Sequence, residues 1–83
     1  MYIIITYDSP DSNKFHKIIK KYLFWNQNSV FHGEITNTNF KKLENELKEI
    51  LNENDSLTIF SNMIHDFLIY KYGKEKGFND NFI

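Results

Sequence analysis

The chain has 83 residues, 41% of them hydrophobic, with a net charge of −1. That length allows one domain whose core is marginal, since so small a fold buries roughly 60–65% of the surface its unfolded chain exposes. The lack of cysteine excludes disulfides and thiolate metal sites, and the apolar runs fall far short of the ~20 residues a membrane helix needs, so the cytoplasm is the expected compartment.

Residues 2–8 (Tyr-Ile-Ile-Ile-Thr-Tyr-Asp) read as a central strand buried on both faces, because three β-branched residues stand in a row among aromatics. The strand ends on Asp8. Pro10 pushes Ser9 out of helical conformation, so the carboxylate is delivered to the edge of the sheet. Asp11 or Ser12 then caps a helix. Phe15, Ile18, Ile19 and Tyr22 recur at i, i+3, i+4 and i+7 and form its apolar stripe. Lys14, Lys17, Lys20 and Lys21, with His16, cover the rest, and residues 12–33 contain no acid. The basic helix reads as a solvated face or as a surface that tracks phosphates. All ten basic residues are lysine, which favours point-charge phosphate contact over bidentate reading of bases.

Residues 24–35 are β-rich and read as a tight hairpin or a bulged strand, with 27–29 as the bend and Gly33 as a second irregularity. Val30 and Ile35 are assigned to the core, with Phe31 on either side. Trp25 reads as core or interface ahead of a base-stacking platform. Thr36 caps a second helix, whose apolar side is Phe40, Leu43, Leu47, Ile50 and Leu51. Lys41 and Lys42 near its start and Glu49 and Glu53 near its end oppose the macrodipole, so tertiary packing must hold it. Residues 52–55 form an exit turn, 56–60 a strand, 61–65 a turn and 67–72 another strand. Residues 73–83 form a tail. The order is β-α-β-β-α-β plus one strand in a single domain spanning 1–83. This is an α+β, ferredoxin-like plan with both helices on one face of an antiparallel sheet. The other face carries aromatics and needs a cover, for which the extra strand and the terminal Phe82 and Ile83 are the material, most simply across a two-fold axis.

Residues 7–11 closing the first strand, residues 27–35 and the Asp80-Asn81-Phe82-Ile83 ending together resemble the CRISPR-associated protein two family, over nearly the whole chain. The resemblance implies a ferredoxin-like homodimer acting as a metal-dependent endonuclease on RNA or double-stranded DNA. It also implies a central place in the integrase complex that captures new spacers, with the integrase subunit as partner. The family's metal-binding aspartate maps onto Asp8, as catalytic and metal residue. The sequence departs from the family in carrying lysines where arginines are frequent in the first helix, and Ser9 where an apolar residue is usual.

One carboxylate is a poor site for Mg²⁺ or Mn²⁺, which keep several waters and take one or two carboxylates. Two copies of Asp8 across a two-fold axis would supply both. The structural alternative for Asp8 is an Asx-turn or a helix cap. His16, His32 and His65 lack ligand spacing, although His32 could lie near the site, and neither a nucleophile elbow nor a glycine-rich phosphate loop is present. Lys14, Lys17, Lys20 and Lys21 are the expected nucleic-acid contacts. Two readings follow: the endonuclease, and a non-catalytic scaffold that holds DNA on its basic helix and docks integrase subunits through its C-terminal strand and tail. A ferredoxin-like RNA-binding module fits less well, since its aromatic and basic sheet motif is absent.

Overall fold

The computed structural model describes residues 1–63 and 66–74. In chain order the elements are β1 (Tyr2–Asp8), α1 (Ser12–Ile19), β2 (Phe24–Gln27), β3 (Val30–Glu34), α2 (Asn37–Ile50), β4 (Ser56–Met63) and β5 (Asp66–Gly73). One antiparallel sheet has the order β2-β3-β1-β4-β5. The first four strands follow the split β-α-β plan, and β5 adds beside β4.

β1 is central, as its sequence predicts, but it is buried fully on one face only. Ile3, Ile5 and Tyr7 are buried while Ile4 and Thr6 are half-buried, so the isoleucine run does not mark a strand covered on both sides. Strand residues alternate between faces, and the buried set points at both helices. Phe15 and Ile19 from α1 and Phe40, Leu43 and Leu47 from α2 meet Ile3, Ile5, Tyr7, Phe31, Leu57 and Ile59 in one core.

The hairpin is real. Asn28, at φ 45°, makes the tight turn between β2 and β3. The irregularity falls in β2, between Trp25 and Gln27, and not at Gly33, which pairs with Ile3 in unbroken register. Phe31 is the core residue of β3, and Val30 stands half-buried on the other face. β4 continues to Met63, through part of the stretch read as a turn, because Ser61 pairs with Ile3 and Leu68, and Asn62 with Tyr2 and Phe67. Gly73 belongs to β5 rather than to a tail. The tail from residue 75, His65, and the cover assigned to Phe82 and Ile83 lie outside the described residues.

α2 starts where Thr36 accepts a hydrogen bond from the Asn39 backbone N–H at 3.1 Å. Asp11 occupies the cap position of α1 without a side-chain cap bond. Ser9 Oγ instead accepts from the Asp11 N–H at 3.0 Å. α1 ends at Ile19, so Tyr22 packs from the following turn.

The face away from the helices carries a row of opposed residues from all five strands: Phe24, His32, Ile4, Phe60 and Ile69. Phe24 is 73% exposed, and Tyr2 and Ile69 are each 39% exposed. This is the aromatic open face expected from the sequence.

Candidate functional site

Register builds the site. β1 and β4 run antiparallel with Asp8 opposite Ser56, so the residue after Asp8 faces the residue before Ser56. That brings Ser9 to Asp55, 46 positions away in sequence, where Ser9 Oγ donates to Asp55 Oδ1 at 2.5 Å. Asp55 Oδ2 accepts from Lys14 Nζ at 2.6 Å and from the Asn52 backbone N–H at 2.8 Å. The Asp55 backbone carbonyl accepts the Lys74 N–H at 2.8 Å.

Asp55 is thus 1% exposed and fully engaged. Burial pushes its pKa up, but hydrogen bonds from Lys14, Ser9 and Asn52, with the Lys14 charge, together bring it below the ordinary 3.8. The carboxylate is a brace that ties the turn after β1, the first turn of α1 and the start of β4 together. An open cleft of about 210 Å³, lined by Pro10, Asp11, Lys14, Asn52, Asn54 and Asp55, lies over this brace.

Asp8 stands at the end of β1, exposed, on the register positions of the open face shared by Ile4 and Thr6. Its exposure leaves it accessible to solvent and ligand. Among the described residues no group of three or more His, Cys, Asp and Glu could hold a metal ion. Asp55 is committed to its three donors, which leaves Asp8 as the carboxylate that the strand end presents here. A single exposed carboxylate suits a hydrated Mg²⁺ or Mn²⁺, which keeps several waters and takes one or two carboxylates.

The four predicted lysines separate into two pairs. Lys14 is turned inward to Asp55, and Lys21 reaches Glu46 of α2 at 2.6 Å, so acids from elsewhere in the fold neutralise both. The same Glu46 accepts the Tyr22 hydroxyl and sits below its usual pKa, chiefly through the Lys21 and Tyr22 hydrogen bonds. Lys17 and Lys20 are exposed and make no ion pair among the described residues. No acid of residues 12–33 is available to pair the four lysines, as the sequence shows, but acids from elsewhere in the fold reach Lys14 and Lys21. An acid-free stretch of sequence does not stop distant acids from folding onto it.

The two described histidines, His16 and His32, make packing and hydrogen-bond contacts within the fold. His16 packs edge-on against Phe31 and Trp25, with centroids 5.1 and 5.8 Å away. His32 Nδ1 bonds the Tyr2 hydroxyl at 2.5 Å. His32 opposes Ile4, four residues up β1 from Asp8, which at a strand's rise is roughly 13 Å away. It is too far to assist there within one chain. Trp25 is 57% exposed and so is not a core residue.

The sequence reading missed Asp55 and Ser9 as supports. Asp55 had the look of an exit-turn residue, and its side-chain partners Ser9 and Lys14 lie 46 and 41 positions away. Only strand pairing brings them together.

Residues 1–67 match the family model described as CRISPR associated protein Cas2. The chain belongs to the Cas2 family. It is 46% identical over 63 residues to the CRISPR-associated endoribonuclease Cas2 3 of Thermodesulfovibrio yellowstonii, covering 72% of each chain. It is 37% identical to the CRISPR-associated endoribonuclease Cas2 of Thermotoga maritima, covering 100% of this chain and 99% of that one. Among solved structures, a Cas2 crystal structure matches with TM-score 0.66 at 40% identity, over 95% of this chain and 83% of that chain. Streptococcus pyogenes Cas2 at pH 6.5 matches with TM-score 0.64 at 26% identity, over 78% and 89%. The α+β Cas2 fold expected from the sequence is the observed one. No helix among the described residues is long and apolar enough to cross a membrane.

Proposed function

We propose that this Cas2-family chain is one half of a metal-dependent endonuclease cutting phosphodiesters of RNA or double-stranded DNA during CRISPR adaptation. The observation that carries the reading is Asp8: an exposed carboxylate at the end of the stiff central strand, on the face that carries an uncovered apolar row. A second copy laid on that face covers the row and brings a second Asp8 toward the first. The relatives named endoribonuclease support the reaction class.

Asp8 of each chain would hold the ion through its carboxylate. When bound, Mg²⁺ or Mn²⁺ supplies a more acidic water and positive charge beside a phosphate. Two facing carboxylates repel without a cation, which makes the pair a cation trap. Ser9, held between the Asp11 N–H and Asp55, fixes the turn on which Asp8 sits, so little ordering remains when substrate arrives.

Asp8→Asn removes a charge while keeping shape. Cleavage stimulated by Mg²⁺ is expected to vanish in this variant, with the dimer intact by sedimentation. Undiminished metal-dependent cleavage by a pure Asp8→Asn protein overturns the assignment. A scaffold reading is favoured by the exposed, unpaired Lys17 and Lys20, which suit nonspecific contact with DNA phosphates. There the chain bridges integrase subunits, and spacer capture survives Asp8→Asn. One protein could serve both roles.

A further inference from the structure

β1 loses its neighbours before it ends. Its pairing with β3 runs from Tyr2 to Thr6, and its pairing with β4 stops at Asp8, opposite Ser56. Asp8 is therefore paired in the sheet on the β4 side only, and strand ends fray. The chain then runs into Pro10, which has no N–H with which to fix the turn. Ser9 supplies the hold. Its hydroxyl, on a half-buried residue, accepts from the Asp11 N–H at 3.0 Å and donates to Asp55 Oδ1 at 2.5 Å. The first bond closes the turn over Pro10, as a serine hydroxyl does when it bonds the backbone two residues on. The second continues the β1–β4 pairing one position past its last rung, with side chains in place of the main chain.

The anchor on the far side is itself fixed from several directions. The second oxygen of the buried Asp55 carboxylate accepts from Lys14 Nζ at 2.6 Å and from the Asn52 N–H at 2.8 Å. Its main chain is bonded at both groups: the Asp55 N–H donates to the Asn52 carbonyl at 3.0 Å, and the Asp55 carbonyl accepts the Lys74 N–H at 2.8 Å. A hydroxyl bonded to an ionised carboxylate makes a charge-assisted bond, roughly twice as strong as a neutral one. Lys14 lies in α1 and Ser9 just after β1, so one carboxylate grips the connecting turn at both ends.

We infer that Ser9 and Asp55 are positioning residues for Asp8: the bond between hydroxyl and carboxylate holds the end of β1 where the Asp8 carboxylate binds a divalent cation, and without the hydroxyl the cation binds more weakly. The role rests on the reading of Asp8 as the cation's ligand. Neither positioning residue is a ligand; each acts through the backbone of the turn. Two Asp8 carboxylates brought together repel until the cation arrives, and the brace opposes that displacement of the strand end. Lys14 serves the same brace, as the charge that keeps Asp55 ionised.

Ser9→Thr and Ser9→Val introduce side chains of one shape that differ by the hydroxyl. Mn²⁺ binding is read from the loss of the free ion's electron paramagnetic resonance signal, with Asp8→Asn as the reference for binding elsewhere on the protein. Ser9→Thr is expected to bind Mn²⁺ as wild type does, and Ser9→Val about tenfold more weakly, the low end of the loss when a ligand's supporting bond is removed. The Mn²⁺ concentration for half-maximal cleavage should rise by the same factor in Ser9→Val, while the rate at saturating Mn²⁺ stays near wild type, because the ligand is intact. A second measurement needs no substitution: in metal-free wild type the Asp11 amide, bonded to Ser9 Oγ, should exchange its hydrogen slowly. Equal Mn²⁺ affinity in Ser9→Thr and Ser9→Val, or an Asp11 amide that exchanges as fast as an open loop, overturns the positioning role and leaves Asp8 its own. Mn²⁺ binding that is the same in wild type and Asp8→Asn removes the cation reading and the positioning role together.

Discussion

Asp8 and Asp55 are two carboxylates one residue apart in sheet register, with opposite fates. Asp8 is exposed at the strand end, whereas Asp55 is 1% exposed with Ser9, Lys14 and Asn52 as donors. Lys14 Nζ is itself largely covered, its side chain 19% exposed, so removing the Asp55 charge strands a half-buried cation. Asp55→Asn is expected to lower stability by about 3 kcal/mol, read from the urea midpoint at neutral pH. The pH dependence has a definite sign. The folded pKa of Asp55 lies below the ordinary 3.8, so in the window between them the unfolded chain binds more protons. Its stabilisation is complete above the ordinary value and is lost as pH falls through the folded one. The gap between wild type and Asp55→Asn should therefore shrink in acid, and a gap unchanged down to the acid transition would show that the charge is not what Asp55 contributes. Asp8 was legible from sequence because a strand that stops at Ser9-Pro10 must place its last residue at an edge. Asp55 was not, since nothing local distinguishes a brace from a turn residue.

Among elements, those defined by local periodicity were read well and those defined by pairing were read poorly. The stripes of α1 and α2 and the cap at Thr36 follow from spacing and reappear in the core. The extent of β4, the place of the bulge and the membership of Gly73 in β5 depend on a neighbouring strand: the ends of β4 and β5 were displaced by one to three residues, and the bulge lies in β2 rather than at Gly33. β5 pairs with β4 along its length, and its far end is tied down further. The Tyr72 hydroxyl donates to Glu44 of α2, and burial, then that carboxylate, raises its pKa well above the usual phenol range. Gly73, at φ +89°, pairs with Ser56 and lies against Asp55. A Cβ there would stand 2.3 Å from the Asp55 carbonyl oxygen. Gly73→Ala must therefore move the strand end that lies beside the brace under Asp8. A destabilisation of about 2 kcal/mol is expected, from the left-handed backbone and the clash together. Hydrogen exchange should speed up first at the Lys74 amide, which bonds Asp55. Wild-type stability with unaltered exchange would mean that β5 yields freely and does not share the brace.

For the whole molecule, the sheet's two faces divide the work. One is filled by both helices, and the other leaves Phe24, Tyr2 and Ile69 exposed beside half-buried Ile4 and Phe60. An 83-residue domain has little stability to spare, so the exposed apolar side chains of this face are a cost that a second copy would remove. The proposed chemistry needs that same copy, because each chain contributes one carboxylate at the end of β1, Asp8, to an ion that takes two. In the proposed dimer, stability and catalysis share one interface. Ile4→Glu tests the coupling, since Ile4 is at the centre of the open row and distant from Asp8 along β1. The variant keeps every residue of the core that faces the helices. It is expected to sediment as a monomer with native circular dichroism and to lose metal-dependent cleavage although Asp8 is untouched. Mixing it with Asp8→Asn should restore nothing, because neither chain brings both an intact face and an intact carboxylate. A monomeric Ile4→Glu protein that still cleaves would place a complete site within one chain, against the single exposed carboxylate seen at the end of β1.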